Sequence, residues 1–173
     1  RAKADTIASR LKRTFTERIA EDPFFYRKLS RIIEDVIAEH RAERLTDAEY
    51  LAQMQDAYRQ VTDRERIDTP HALDSHPAAR AFFGVLEETW TRRGLNTESQ
   101  RQMAVEAALK IDTIVKAERR RDWTRNTDVQ NAMRAKIDDY LHDFKDQHGL
   151  DLDFDSIDLI IEGVLGIARA RYA

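Results

Sequence analysis

The densest group of possible metal ligands in this sequence is the segment DLDFDSIDLIIE, residues 151–162. Four of its acids occupy positions one, three, five and twelve of a calcium-binding helix–loop–helix loop: Asp151, Asp153, Asp155 and Glu162. However, the sixth position, where such a loop needs glycine, is Ser156, and the eighth is Asp158. A helix that begins near Ser156 would use the same acids as an N-cap and as charges that complement its dipole. We therefore expect a helix start here, with calcium binding as the alternative.

The sequence contains no recognisable catalytic or cofactor-binding motif. It contains no cysteine, which excludes disulfides, thiolate zinc sites and cysteine nucleophiles. Its five glycines form neither a phosphate-binding P-loop nor a dinucleotide-binding turn. His71 and His76 lie beside Asp68 and Asp74 in a loop, where polar residues collect whether or not a metal binds. We expect no catalytic residue and no cofactor in this chain.

A cluster of basic residues interrupts a chain whose formal net charge is -3. Its members, with a tryptophan among them, are Lys116, Arg119, Arg120, Arg121, Trp123 and Arg125. Adjacent arginines repel one another, so two anionic partners come into question: the acidic last third of the chain, or the phosphates of a nucleic acid. Trp123 would either anchor a buried corner between helices or stack on a ligand.

The two ends of the chain carry opposite charge. Residues 1–31 hold nine Lys and Arg against four Asp and Glu, and residues 128–162 hold three against ten. A strong asymmetry of this kind bears on the choice of partners more than the net charge does. Three cations of the basic first helix join the predicted nucleic-acid contacts: Arg10, Lys12 and Arg13.

Apolar residues recur at helical spacing throughout, and no stretch alternates as a half-buried strand would. The sequence therefore predicts an all-α fold of about seven helices in one compact, irregular bundle with two sub-lobes. We expect one domain, residues 1–173, with a front lobe at about 1–66, a loop at 67–76 and a back lobe at about 77–173.

Three helices are expected in the front lobe. The second runs from Pro23 to about Arg44, and a capping box from Thr46 to Glu49 begins the third. The expected inward-facing residues are Ile7, Leu11, Phe15, Ile19, Phe25, Leu29, Ile32, Ile33, Val36, Ile37, Tyr50, Leu51, Met54, Tyr58 and Val61.

The back lobe begins with two further helices. Pro77 suits the first turn of the fourth helix, and Gly94 suits its end. Thr97 and Gln100 form a capping box at the start of the fifth. This helix, expected to run to about Arg121, is apolar on most of its circumference and is predicted to be the most buried.

Two helices complete the predicted back lobe. Thr127 and Gln130 match a capping box at the start of the sixth, which is expected to end at Gly149. The seventh is expected to begin near Ser156 and to bury an isoleucine-rich stripe.

Three segments together resemble the helical carboxy-terminal region of the restriction (HsdR, motor) subunit of type I restriction-modification enzymes. They are DPFFYRKLSRIIEDVIAEHRAERLTDAEYL, DWTRNTDVQNAMRAKIDDYLHD and DLDFDSIDLIIEGVLGIARARY, which lie in the order of the family and cover residues of about 22–61 and 118–172. Methionine occurs only at positions 54, 103 and 133. We therefore expect this chain to be a piece of a larger protein.

The resemblance implies a non-catalytic assembly role. In the family, the nuclease and the ATP- and magnesium-dependent DNA motor lie in upstream domains, and the helical end docks the motor onto the methyltransferase and specificity subunits near DNA. The implied partners are those subunits, the upstream motor domains and double-stranded DNA. No stretch has the pattern of a membrane span or a secretory signal, so we expect a cytoplasmic protein without a membrane partner. The alternatives are a purely structural helical domain and a calcium-binding module.

Overall fold

The computed structural model describes residues 1–62 and 69–173, and these residues form helices and connecting turns without strands. Seven α-helices occur in this part of the chain: α1 (Ala2–Arg18), α2 (Pro23–Arg41), α3 (Asp47–Thr62), α4 (Pro77–Arg92), α5 (Glu98–Glu118), α6 (Thr127–His148) and α7 (Phe154–Arg171). The predicted all-α fold is confirmed. None of the helices described is long and apolar enough to span a membrane.

The chain divides into two compact units. The first contains Arg1–Ile19 and Pro23–Thr69, and the second contains Ala20–Asp22 and Pro70–Ala173. The predicted boundary near residue 66 falls outside the described residues. The expectation that 1–173 acts as one domain stays a prediction.

The first unit is built from α1, α2 and α3, which pack on one another. Its buried residues repeat every three or four positions, which places them on one side of each helix: Ala4, Ala8, Leu11, Phe15, Tyr26, Leu29, Ile33, Val36, Tyr50, Met54, Ala57 and Val61. The rings of Phe15 and Tyr26 lie 5.8 Å apart between α1 and α2. The capping box of α3 is confirmed, because Thr46 and Glu49 exchange hydrogen bonds.

Three residues expected in this core are exposed instead. Ile19 follows the end of α1 and lies in a short 3-10 turn. On α2 the buried residues form a narrow stripe that leaves Ile32 outside, and on α3 Ala57 takes the buried position that the sequence suggested for Tyr58. Helix α2 also ends at Arg41, three residues earlier than predicted, because the backbone turns into the left-handed region at Glu43.

The second unit is a cycle of four helices. Helix α4 packs against α5 and α7, and α6 packs against the same two helices. Helix α4 has ten buried residues, whereas the longer α5 has seven. The prediction that α5 is the most buried helix is therefore wrong. Small side chains at Ala78, Ala79, Ala81 and Gly84 give α4 its closely covered surface.

The ends of these helices test the predicted caps. Pro77 lies in the first turn of α4, and Gly94 adopts the left-handed conformation after its end. The Thr97–Gln100 capping box is confirmed. Gly149 also ends α6 in the left-handed conformation.

Three predicted boundaries differ. The N-cap of α6 is Asn126, whose side chain accepts hydrogen bonds from the amides of Asp128 and Val129, so the predicted Thr127–Gln130 box is wrong. The side chain of Gln130 instead donates to carbonyl groups in the preceding turn. Helix α5 ends at Glu118 and α7 begins at Phe154, because the backbone extends after the first and Asp153 caps the second.

The close approach of α4 and α7 predicts opposite effects for two glycines of α7. A Cβ atom at Gly163 would lie 2.9 Å from one methyl carbon of Val85 and 3.3 Å from the other. Because a β-branched side chain in a helix has one strongly preferred rotamer, Val85 cannot turn away. We expect Gly163→Ala to lower the free energy of unfolding by about 1–2 kcal/mol, as overpacking outweighs the gain in helix propensity.

Gly166→Ala is the matched control, because no atom beyond its chain neighbours and the backbone of its own helix lies within 4 Å of its Cβ position. It should raise the free energy of unfolding by about 0.5–1 kcal/mol. Urea denaturation of the two variants measures the difference. A third variant combines Gly163→Ala with Val85→Ala, which removes the methyl carbons that the new Cβ atom would meet. The part of the stability loss that this clash causes should then disappear. Equal stabilisation by both single changes would show that α4 and α7 do not constrain each other at Gly163.

Candidate functional site

Three residues tie the corner between α5 and α6 to the carboxyl end of α7. The indole N–H of Trp123 donates to the carbonyl oxygen of Tyr172 at 2.7 Å, and the hydroxyl of Tyr172 donates to Oδ1 of Asp112 at 2.6 Å. Trp123 is 2% exposed and Asp112 is 4% exposed. A buried carboxylate is costly unless it is paired and hydrogen-bonded, so Asp112 needs the Tyr172 hydroxyl. We call Asp112, Trp123 and Tyr172 the Tyr172 anchor.

Two of the clustered cations complete the Tyr172 anchor. Nζ of Lys116 lies 2.9 Å from Oδ2 of Asp112, and the guanidinium carbon of Arg119 lies 4.6 Å from the centre of the Tyr172 ring. A guanidinium at that distance is attracted by the ring electrons. Lys116 and Arg119 therefore stabilise the fold, and their charges are largely engaged within it.

Arg120 caps the end of α5. Its Nη1 donates to the carbonyl oxygens of Ala117, Glu118 and Arg119 at 2.8, 3.2 and 3.0 Å. These oxygens belong to the last turn, whose carbonyl groups have no partners within the helix. The negative end of the helix dipole adds to the attraction. Arg120 is thus also engaged locally.

All five cations of the cluster are exposed, and Arg121 and Arg125 are the two that make no close contact with the rest of the fold among the described residues. The side chain of Arg121 is 98% exposed, and its nearest acid, Asp122, lies 3.9 Å away. Arg125 is exposed and forms no ion pair with any residue in 1–62 or 69–173. Together with the residues around the start of α6 they line an open depression of about 390 Å³: Arg121, Asp122, Arg125, Asn126, Thr127 and Asp128. We call this surface the arginine corner.

The predicted nucleic-acid contacts thus divide into groups with different roles. Among the residues described, neither Arg121 nor Arg125 pairs with an acid of residues 128–162. Trp123 is buried, which favours the alternative of a corner anchor over stacking on a ligand. The remaining candidates, Arg10, Lys12 and Arg13, are exposed on α1 in the first unit, where Arg13 pairs with Glu17 at 2.9 Å.

The acids of the calcium-loop pattern do not converge on a point. Arg93 binds two of them, with Nη2 at 2.9 Å from Asp151 and Nη1 at 3.4 Å from Asp153. Asp153 accepts the amide hydrogen of Ser156 as the N-cap of α7, and its hydrogen bonds with Ser156 hold the pKa of the carboxyl below its usual range. Asp155 lies exposed in the first turn, and Glu162 pairs with Arg134 of α6.

The histidine-containing loop shows the same dispersal. His71 lies 3.1 Å from Asp74, and both are exposed. Asp68, the third predicted neighbour, lies outside the described residues. Nowhere in 1–62 and 69–173 do three or more histidine or acidic side chains gather as metal ligands would.

A second candidate surface lies on α7. Phe154 is 73% exposed and Leu159 is 57% exposed, although both are large and apolar. The carboxylates of Asp155 and Asp158 lie between them in sequence and are exposed. We call Phe154, Asp155, Asp158 and Leu159 the acidic face. The sequence analysis did not predict the acidic face, because hydrophobic periodicity identifies buried residues and says nothing about exposed ones.

A family model described as type I restriction enzyme HindI endonuclease subunit-like, C-terminal, matches residues 2–169. The chain belongs to this family. No curated protein and no solved structure matched it.

Membership in the type I restriction endonuclease-subunit family confirms the resemblance and extends it over nearly the whole chain. The match includes both units of this C-terminal domain, and with them the arginine corner and the acidic face. It does not reach Tyr172, the residue on which the Tyr172 anchor depends.

The Tyr172 anchor makes the stability of this restriction-subunit domain sensitive to alkaline pH. Burial, and then the hydrogen bond to Asp112, raise the pKa of Tyr172 well above that of a free tyrosine. The folded state therefore holds a proton that the unfolded chain releases near pH 10, so this stabilisation is complete below pH 10 and falls as the pH rises further. Burial also raises the pKa of Tyr140, to about 12, with the same sign.

We expect Tyr172→Phe to reduce the free energy of unfolding at pH 7 by about 1–3 kcal/mol, because Asp112 loses its donor. The variant should also lose less stability than the wild type between pH 9 and about 11. Thermal unfolding followed by circular dichroism across that range measures both effects. Tyr58→Phe, at an exposed tyrosine, is the control. Identical alkaline slopes for wild type and Tyr172→Phe would contradict the role of this hydroxyl.

Proposed function

We propose that this chain is a non-catalytic assembly domain of a type I restriction motor subunit. It docks the motor onto the methyltransferase and specificity subunits and against the upstream motor domains of its own subunit. Family membership supports the proposal. ATP and magnesium, which the wider enzyme family uses, would act in domains outside this chain.

The exposed apolar side chains of the acidic face carry this proposal. Scattered apolar residues are normal on a protein surface, but Phe154 and Leu159 are the two most exposed of the large ones among the described residues and lie within six residues on one helix. Aromatic residues at such positions are enriched where proteins meet. A domain that presents such residues is suited to binding a protein.

Deletion tests the docking function directly. The intact endonuclease subunit and a version lacking residues 1–173 are each mixed with the methyltransferase–specificity complex and followed by size-exclusion chromatography with light scattering. We expect the shortened subunit to remain folded and to elute apart from the complex, whereas the intact subunit co-elutes. Co-elution of the shortened subunit with unchanged affinity would show that docking resides elsewhere.

The arginine corner favours a second contact, with DNA phosphates. Arg121 and Arg125 are exposed beside the amino end of α6, where the helix dipole is positive. Cations at such a site bind the DNA backbone without reading sequence. The purely structural alternative required these arginines to pair with the acidic last third of the chain. Instead, three acids of residues 128–162, Asp151, Asp153 and Glu162, pair with Arg93 and Arg134.

The DNA contact predicts a specific salt dependence. Replacing Arg121 and Arg125 by alanine should weaken binding to a short DNA duplex and reduce the slope of log affinity against log salt by about 0.9 for each phosphate contact removed. Arg92→Ala, at an exposed arginine that pairs with Glu88, should leave the slope unchanged. Fluorescence anisotropy at several salt concentrations measures the slopes. Equal slopes for all three proteins would remove the arginine corner from the DNA interface.

A further inference from the structure

Helices α6 and α7 meet along a seam whose register is set by two contacts. Arg134 of α6 forms an ion pair with Glu162 of α7, and the ring of His142 lies 5.1 Å from that of Phe154. The two helices are antiparallel, because the earlier residue on α6, Arg134, contacts the later one on α7, Glu162, and His142 contacts Phe154. This register places Asp138 opposite Asp158, midway between the two contacts.

The carboxylates along this seam are incompletely balanced by cations. Asp138 has His142 as an ion partner at 3.4 Å, a contact between charges only when the histidine is protonated. Asp155 and Asp158 form no ion pair with any residue that the structure describes. The middle of the seam therefore carries excess negative charge and repels the DNA backbone.

Phe154 is held in position although its surface is open. His142 contacts its ring from one side, and Nζ of Lys145 lies 5.6 Å from the ring centre. Lys145 is itself fixed by a 2.8 Å hydrogen bond to the carbonyl oxygen of Leu152. A large side chain that is ordered before binding loses little entropy when a partner covers it.

We propose that the acidic face, formed by Phe154, Asp155, Asp158 and Leu159, docks on a basic protein surface that has an apolar pocket, on the methyltransferase–specificity complex. The inference rests on the docking function proposed above and names the surface and the chemistry of its partner. Phe154 and Leu159 enter the pocket, and arginines or lysines around its rim meet Asp155 and Asp158. Central apolar anchors with charged surroundings are the usual arrangement of energetically dominant contacts.

The test uses the intact endonuclease subunit and the purified methyltransferase–specificity complex, with affinity and association rate measured by biolayer interferometry. Phe154→Ser and Leu159→Ser should each weaken binding about tenfold or more, mainly through faster dissociation. Asp158→Lys should lower the association rate, and its effect should shrink as salt increases. Thermal unfolding confirms that each variant is folded.

Matched controls carry the same substitutions elsewhere. Ile32→Ser alters an exposed apolar residue of α2 in the first unit, and Asp139→Lys reverses an exposed charge of α6 one residue beyond the seam. Both should bind as the wild type does. If the controls weaken binding as much as the acidic-face variants do, the effects come from general charge or solubility and the inference is wrong.

The outcomes separate this inference from the docking function itself. If the wild-type subunit binds the complex and the acidic-face variants bind equally well, docking stands and the acidic face is not its surface. If Phe154→Ser changes self-association of the subunit in sedimentation but leaves binding to the complex unaltered, a second copy covers the face and the inference is overturned. If deletion of residues 1–173 leaves binding intact, the docking function fails as well.

Discussion

A buried carboxylate on α5 determines how the second unit closes. Asp112 lies among apolar side chains and is stabilised by the hydroxyl of Tyr172 and the ammonium of Lys116. Removing either partner leaves charge in a poorly solvated place, which costs more than the hydrogen bond is worth in water. Tyr172 also accepts the indole hydrogen of Trp123. Tyr172, at the end of α7, thus holds that helix against α5 and against the turn that carries the arginine corner.

The sequence was informative wherever a local rule decided the outcome. The caps at Thr46, Thr97 and Gly94 depend on residues within four positions. The spacing of buried residues, at every third or fourth position, depends on helix geometry alone. Of two errors, one had an equally local cause and the other depended on packing. Asn126 competes with Thr127 for the cap of α6, and both residue types are good caps. At Tyr58 the smaller Ala57 fits between helices, a choice that needs the neighbouring helix to be known.

The candidate site was harder to predict because its decisive contacts join distant positions. The bond from Tyr172 to Asp112 spans 60 residues, and that from Trp123 to Tyr172 spans 49. No pattern in the sequence links them. A basic cluster that looks uniform therefore separates into Lys116, Arg119 and Arg120, which contact the fold, and Arg121 and Arg125, which do not contact it closely. Only the packing of α7 against the corner reveals which charges remain available.

Helix α7 also separates the two candidate surfaces. Its 18 residues span about 27 Å at a rise of 1.5 Å each, with Phe154 at one end and the Tyr172 anchor at the other. The Debye length at physiological salt is about 8 Å, so charges that far apart on the surface are screened from one another. The arginine corner can therefore attract phosphates while the acidic face attracts a basic protein, and neither weakens the other. Because α7 carries the acidic face near its amino end and is tied to the arginine corner through the Tyr172 anchor at its carboxyl end, the helix sets the spacing between the two candidate surfaces.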